Sequence, residues 1–134
     1  MPDSFMLKIV TPERTVYAES IVSLVAPGVD GYFGVLAHHA AMLAEVGVGR
    51  LTAIHADGSK DEMAVAGGFL EVGSDATTVL ADSAERKQDI DVHRAEAALQ
   101  RAKERLAQPE RDIDMARAEA ALTRALNRMN LVHK

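Results

Sequence analysis

The sequence predicts an α+β chain, with short β-strands forming an antiparallel sandwich or barrel, followed by an antiparallel two-helix hairpin. Three observations carry this. All nine glycines lie before Ala84, among β-branched runs punctuated by Gly, Pro and Asp. Beyond Ala84 the apolar residues recur at helical spacing. Finally, "DIDVHRAEAALQRA" from Asp89 returns almost unchanged as "DIDMARAEAALTRA" from Asp112, an offset of 23 residues. The expected division is therefore residues 1–84 and residues 85–134.

Along the first region, "FMLKIV" (Phe5–Val10) alternates loosely and stops at Thr11-Pro12. "SIVSLVAP" (Ser20–Pro27) is β-branched and ends at Pro27-Gly28. "RLTAIHA" leads into Asp57-Gly58, expected as a two-residue hairpin turn, and "DEMAVAGG" follows. "FLEVG" and "TTVLAD" complete the strands. "AHHAAMLAEV" (Ala37–Val46) fits either a helical turn or a loop. In the second region Val92, Ala95, Leu99, Ala102 and Leu106 are spaced 3, 4, 3 and 4, and Met115, Ala118, Leu122, Ala125 and Met129 repeat that spacing. Each set makes one stripe, the seam of a helix pair. Pro109 in "QPERD" breaks the period and supplies a short connection. Asp91 and Asp114 are expected as N-caps or first-turn acids. The seam is mostly Ala, so its packing is weak, while Ala, Glu, Arg, Leu and Gln are strong helix formers. Such helices are expected to be more secure than the contact between them.

Charge divides the chain at the same place. Residues 1–84 hold four Lys/Arg and eleven Asp/Glu, a net of −7; residues 85–134 hold eleven and nine, a net of +2, giving the overall −5. Two modules with different partners are implied. The negative balance and the lack of Trp argue against a general nucleic-acid binder. There is no cysteine, which excludes disulfides, thiol catalysis and Cys-ligated metal. No run of eighteen apolar residues suggests a membrane span, and "MPDSFMLKIVTPE" does not read as a signal peptide.

The seam leaves the arginines unexplained. Arg94, Arg101 and Arg105 correspond to Arg117, Arg124 and Arg128. Arg94 and Arg101 are two turns apart, roughly 10 Å, on nearly one face. Arg124 and Arg128 are one turn apart, a like-charge pair that costs roughly 0.2–0.5 kcal/mol. A solvated face balanced by Glu96, Glu104 and Glu119 is the simpler reading. The functional one is convergence on a polyanion, since guanidinium forks match phosphate oxygens. No enzyme site competes for attention. Gly28, Gly31 and Gly34 in "PGVDGYFG" lack the Lys-Ser/Thr and following helix of a phosphate loop, and are read as turn glycines. His38 and His39, as neighbours in an extended chain, would point apart and make a poor metal pair. No triad or carboxylate pair emerges, so the chain is expected not to be an enzyme and to need no cofactor or metal.

The order of modules and the strings "TPERTVY", "GYFGVLAHHA", "AVAGGFLEV", "TTVLAD" and "IDVHRA" resemble the epsilon-subunit family of F-type ATP synthases, over essentially the whole chain. The resemblance implies a β-sandwich of about ten strands followed by the helical hairpin. It implies a non-catalytic place at the foot of the central rotor, against the γ subunit and the c-ring, with the hairpin able to extend toward the α/β head. It also implies coupling of proton-driven rotation to ATP synthesis and restraint of ATP hydrolysis. The location implied is peripheral, on the cytoplasmic face of a bacterial plasma membrane, without insertion into it.

"IDVHRA" is similar to the motif with which some bacterial members bind ATP as a regulatory ligand. It carries over as Ile90, Asp91, Arg94 and Ala95, with Glu85, Arg101, Arg124 and Arg128 on matching residue types. The rotor contact carries over to Tyr32, His38 and His39. Tyr32 stands where the family commonly has an acid, and Ala41 where it commonly has Pro; His39 aligns with the family histidine. Two other readings remain: a free-standing ATP sensor of the same build, and a β-sandwich recognition module with a coiled-coil adaptor.

Overall fold

The computed structural model describes residues 3–107 and 115–133. The chain divides into two compact units between Arg86 and Lys87. The first holds β1 (Phe5–Val10), β2 (Thr15–Ile21), β3 (Ser23–Gly28), β4 (Gly31–Leu36), β5 (Met42–Glu45), β6 (Val48–Ile54), β7 (Lys60–Val72) and β8 (Ala76–Arg86). They pair in the order β2-β1-β8-β7-β6-β3-β4, with β5 also on β7.

A single sheet becomes two layers because β7 and β8 bend together. Gly67 and Gly68 both have positive φ, 73° and 111°. A Cβ at Gly68 would run into the Leu80 carbonyl oxygen, and one at Gly67 into the Asp82 carboxylate, so only glycine fits. Before the bend, Lys60–Ala66 pairs with β6 and with Ser83–Arg86 of β8; after it, Phe69–Val72 pairs with β5 and with Thr77–Leu80. One layer is thus β2-β1 with the first half of β8, the second half of β7, and β5. The other is the remaining halves with β6-β3-β4. Leu7, Ile9, Tyr17, Ile21, Leu70, Val72 and Val79 from the first layer meet Leu24, Val35, Leu51, Met63 and Val65 from the second in one buried core.

Several sequence expectations shift here. The described residues form eight strands, not about ten; counting the bent halves of β7 and β8 separately would give ten. "DEMAVAGG" and "FLEVG" are one strand, because the glycine pair bends the chain without breaking its register. "SIVSLVAP" is divided at Val22, between β2 and β3. Ala37–Val46 contributes a turn and then β5, with no helix. At Asp57-Gly58 the loop has three residues, Ala56–Gly58: Gly58 N–H donates to His55 O, His55 N–H donates to Ser59 O, and Gly58 takes φ 87°. One pair also departs from the antiparallel rule, since β1 and β8 run parallel.

The second unit has a short 3-10 turn (Lys87–Asp89), α1 (Val92–Leu106) and α2 (Met115–Val132). Asp91 is the N-cap of α1, its carboxylate accepting from Arg94 N–H at 3.1 Å. The stripe expected from spacing is present in a particular form. Its alanines, Ala95, Ala102, Ala118 and Ala125, are at most 3% exposed. Its larger members, Val92, Leu99, Leu106, Met115, Leu122 and Met129, are half-buried. Leu131, off the stripe, is buried as well. The connection with Pro109, and the expected cap Asp114, lie outside the described residues.

Candidate functional site

The helical unit carries a site at one end. An open groove of about 380 Å³ is lined by Lys87, Gln88, Ile90 and Val92 at the start of α1 and by Val132 at the end of α2. The start of one helix therefore lies beside the end of the other, which makes the pair antiparallel. Ile90 is buried at the groove, and Asp91 follows it directly.

The antiparallel arrangement decides where the arginines go. Arg94 and Arg101 each precede a buried seam alanine by one residue, and so do Arg117 and Arg124. One residue is about 100° around a helix. In an antiparallel pair an equal offset in the same direction along each chain carries both stripes to the same side of the seam plane. Counting back from the Val92 and Val132 end at about 1.5 Å per residue puts Arg94 within about one turn of Arg128, and Arg101 within about one turn of Arg124. Arg94 and Arg101 are exposed, whereas Arg124 and Arg128 are half-buried. The hairpin thus presents an apolar groove followed by an arginine face, an arrangement suited chemically to a ring system with a polyanionic tail.

Of the residues singled out by sequence, Ile90, Asp91, Arg94, Ala95, Arg101, Arg124 and Arg128 share this unit. Their roles differ. Asp91 has one carboxylate oxygen committed to the cap, and Ala95 is sealed in the seam, where it permits close helix approach. Glu85 lies in the first unit, in β8 opposite Ala64.

Tyr32, His38 and His39 sit on β4 and the turn after it. Tyr32 is 61% exposed, but its hydroxyl accepts from Arg50 N–H at 3.0 Å. The β3-β6 ladder ends at Val25↔Thr52, and Pro27 follows, so Tyr32 takes a donor that the ladder leaves over. Gly49 is needed beneath it, since a Cβ there would lie 2.6 Å from the hydroxyl. His38 is not extended: its φ is 65°, and its Nε2 pairs with Asp3 at 2.7 Å. His39 Nδ1 bonds to Ala40 O at 2.7 Å.

Sequence reasoning missed an exposed apolar row on the first layer. Phe69 pairs with Leu80, Leu80 with Val10 across the parallel ladder, and Leu43 lies two residues before Glu45, the other partner of Phe69. Leu43, Phe69 and Leu80 are 68%, 51% and 57% exposed. "FLEVG" and "TTVLAD" each alternate two apolar sets, and only pairing shows which set is left outside.

A polar cluster was also missed. Tyr17 is buried and donates its hydroxyl proton to Asp61 Oδ2 at 2.7 Å, while His55 Nε2 lies 2.7 Å from the same oxygen and 3.3 Å from the Tyr17 hydroxyl. Burial, and then the Asp61 carboxylate, push the Tyr17 phenol far above its ordinary range. The bond to Asp61 raises His55, and the bonds from His55 and Tyr17 lower Asp61. Arg86 packs its guanidinium 4.8 Å from the Tyr17 ring centre and bonds to Glu19 at 3.4 Å and to Val16 O at 3.2 Å. Glu19, His55 and Asp61 are the one trio among the described residues whose donor atoms lie within 4.8 Å of each other. The cationic Arg86 and the mutual hydrogen bonds satisfy that trio without a metal.

Comparison with known proteins agrees with both units. Residues 4–87 match the family profile described as "ATP synthase, Delta/Epsilon chain, beta-sandwich domain", and residues 88–132 match "ATP synthase, Delta/Epsilon chain, long alpha-helix domain". The ATP synthase epsilon chain of Pelotomaculum thermopropionicum is 50% identical over 102 residues, 76% of this chain and 75% of that one. That of Carboxydothermus hydrogenoformans is 46% identical over 108 residues, 81% of this chain and 80% of that one. Among solved structures, a chain of the Euglena gracilis mitochondrial ATP synthase (OSCP/F1/c-ring) shares the fold at a TM-score of 0.76 and 22% identity, covering 92% of this chain and 78% of that one. A chain of the Tetrahymena thermophila mitochondrial ATP synthase (central stalk/c-ring) does so at 0.56 and 14%, covering 98% and 96%. With both halves matched in order and close bacterial relatives throughout, the chain belongs to the ATP synthase delta/epsilon family, as a non-catalytic subunit of the epsilon type.

Proposed function

We propose that the chain serves the central rotor of a bacterial F-type ATP synthase, coupling proton-driven rotation to ATP synthesis and restraining ATP hydrolysis through an ATP-responsive hairpin. The sandwich is the docking module. Its Leu43-Phe69-Leu80 row is an apolar strip of the kind that marks a protein interface and fits the γ subunit. The edge bearing Tyr32, His38 and His39 fits the c-ring. Among the described residues no helix is long and apolar enough to cross a membrane, in keeping with a peripheral place at the bacterial inner face.

The regulatory reading rests on one observation: the groove at Ile90 and Val92 opens at the end of an arginine face built from both helices. ATP would lay its adenine against the aliphatic groove near Asp91 and its phosphates along Arg94, Arg101, Arg124 and Arg128. A ligand contacting both helices holds the hairpin closed, by about 2.7 kcal/mol at a hundredfold excess over Kd. When ATP falls, the hairpin opens and can extend its basic helices toward the α/β head. Titration of ATP against the isolated full chain tests this. Arg94→Ala and Arg124→Ala should each weaken binding roughly 10- to 100-fold, the worth of a charge-assisted hydrogen bond, without loss of helix content. Unchanged affinity in both variants returns the arginines to a solvated face.

A further inference from the structure

The two layers of the sandwich are joined by backbone where β7 and β8 bend, and again at Val22, where β2 runs on into β3 and Val22 N–H donates to Ile54 O at 2.9 Å. Among the described residues β2 has one ladder partner, β1, and lies at the end of the sheet order. Side chains tie its free edge to the other layer. Tyr17 on β2 reaches Asp61 on β7 and His55 beside the β6-β7 turn, and Arg86 at the end of β8 reaches the Val16 carbonyl and Glu19 on β2. We propose that these five side chains form a protonation-sensitive clasp, with His55 as its switch, that holds the last residues of β8 to β2 at the point where the chain leaves the sandwich.

Geometry makes His55 the responsive member. His55 is the one imidazole of the five, and the carboxylates of Asp61, Glu19 and Asp57 favour its cation. Its neighbours are Tyr17 and Glu19 from β2, Asp57 and Asp61 from the β6-β7 hairpin, and Arg86 from β8, nearby through its effect on Asp61. Three of those groups are carboxylates. Asp57 is itself held by Ser59 N–H and Oγ, so it keeps its charge. The His55 side chain is 23% and that of Asp61 32% exposed, so protons reach them while water screens them only in part. The His55 cation fixes Asp61 as the carboxylate that accepts from Tyr17. Loss of the proton leaves a partly buried carboxylate with weaker neighbours.

The direction follows from linkage. His55 is raised in the fold, so its contribution is fully present below the ordinary value of 6.5 and fades as pH rises through the folded value. Asp61 is lowered, so its contribution is present above the ordinary 3.8 and fades as pH falls through the folded value. The clasp is tightest between these limits and loosens on the alkaline side. Loosening frays Ser83–Arg86, which lengthens the tether by which the helical unit hangs from the sandwich. Beyond the ATP response, the exit of the hairpin thereby acquires a sensitivity to proton concentration.

The test is a titration of the full chain between pH 5 and 9, following the His55 ring by NMR and the β8 amides by hydrogen exchange corrected for the intrinsic rate. His55 should titrate above 6.5. Protection at Ser83–Arg86 should fall roughly three- to tenfold across that transition. Protection at Thr77–Leu80 of the same strand should not change. His55→Gln should remove the pH dependence. A His55 that titrates at or below 6.5, or amides at both ends of β8 that respond alike, would overturn the proposal. Both readings come from the unmodified chain, so they stand even if the variant folds poorly.

Discussion

The two units are held together by opposite means. The sandwich buries Leu7, Ile9, Tyr17, Leu24, Leu51, Met63 and Leu70 almost completely, each worth roughly 1.5–3 kcal/mol or more. The helical unit fully buries four alanines along its seam and leaves the leucines and methionines of that stripe half-covered, with Leu131 buried beside it. Alanine adds little hydrophobic gain but allows close approach, and the backbone bonds of each helix do not depend on the other helix. A sheet lacks that independence, because each strand's backbone bonds belong to its neighbours. One unit can therefore come apart at its main contact and keep its secondary structure, while the other cannot. That difference suits the function proposed above, in which the sandwich stays docked and the hairpin changes partners.

The comparison breaks most easily by removing bulk from each side. Leu51→Ala should cost the sandwich about 2–5 kcal/mol, the usual price of a buried leucine. Leu122→Ala in the hairpin should cost about 1 kcal/mol, since its side chain is only half-covered to begin with. Chemical denaturation followed separately by β-type and helical circular dichroism reads both. Equal losses would mean that the hairpin seam is a core like any other. An effect smaller than that of Leu51→Ala comes from adding bulk. Ala125 is 0% exposed, and Ala125→Leu should push the helices apart, costing about 1–3 kcal/mol by overpacking. The sandwich should keep its transition, and helix content should fall little.

Much of this was legible beforehand, for identifiable reasons. The repeat at an offset of 23 residues gave both helices and their seam, because helical contacts are local and periodic. β1 matched its apolar run residue for residue. Other elements were hidden by long-range effects. Of the three glycines in "PGVDGYFG", Gly28 and Gly31 flank the β3-β4 turn, but Gly34 lies inside β4, and a glycine inside a strand has no local signature; only its pairing with β3 places it there. Gly67-Gly68 read as a strand end, when it is a bend with register kept. Apart from His55 and Asp61, six residues apart across a hairpin, the clasp joins positions 38 to 70 residues apart, at spacings with no periodicity, so no local pattern ties them to β2 or to the end of β8. The arginine stripes were visible as periodicity. Their arrival on one face required the antiparallel geometry, and the groove required Val132, which no motif had marked.

The central claim is that the sandwich docks while the hairpin, opening at its alanine seam, restrains hydrolysis. It is tested most directly by the ATP hydrolysis rate of the assembled synthase carrying a chain cut after Lys87, against the intact chain, across ATP concentrations. The truncated chain should still assemble, and its complex should hydrolyse ATP faster at low ATP, with the two rates converging as ATP saturates the closed hairpin. Equal rates at every ATP concentration would contradict the claim and leave the hairpin without a braking role.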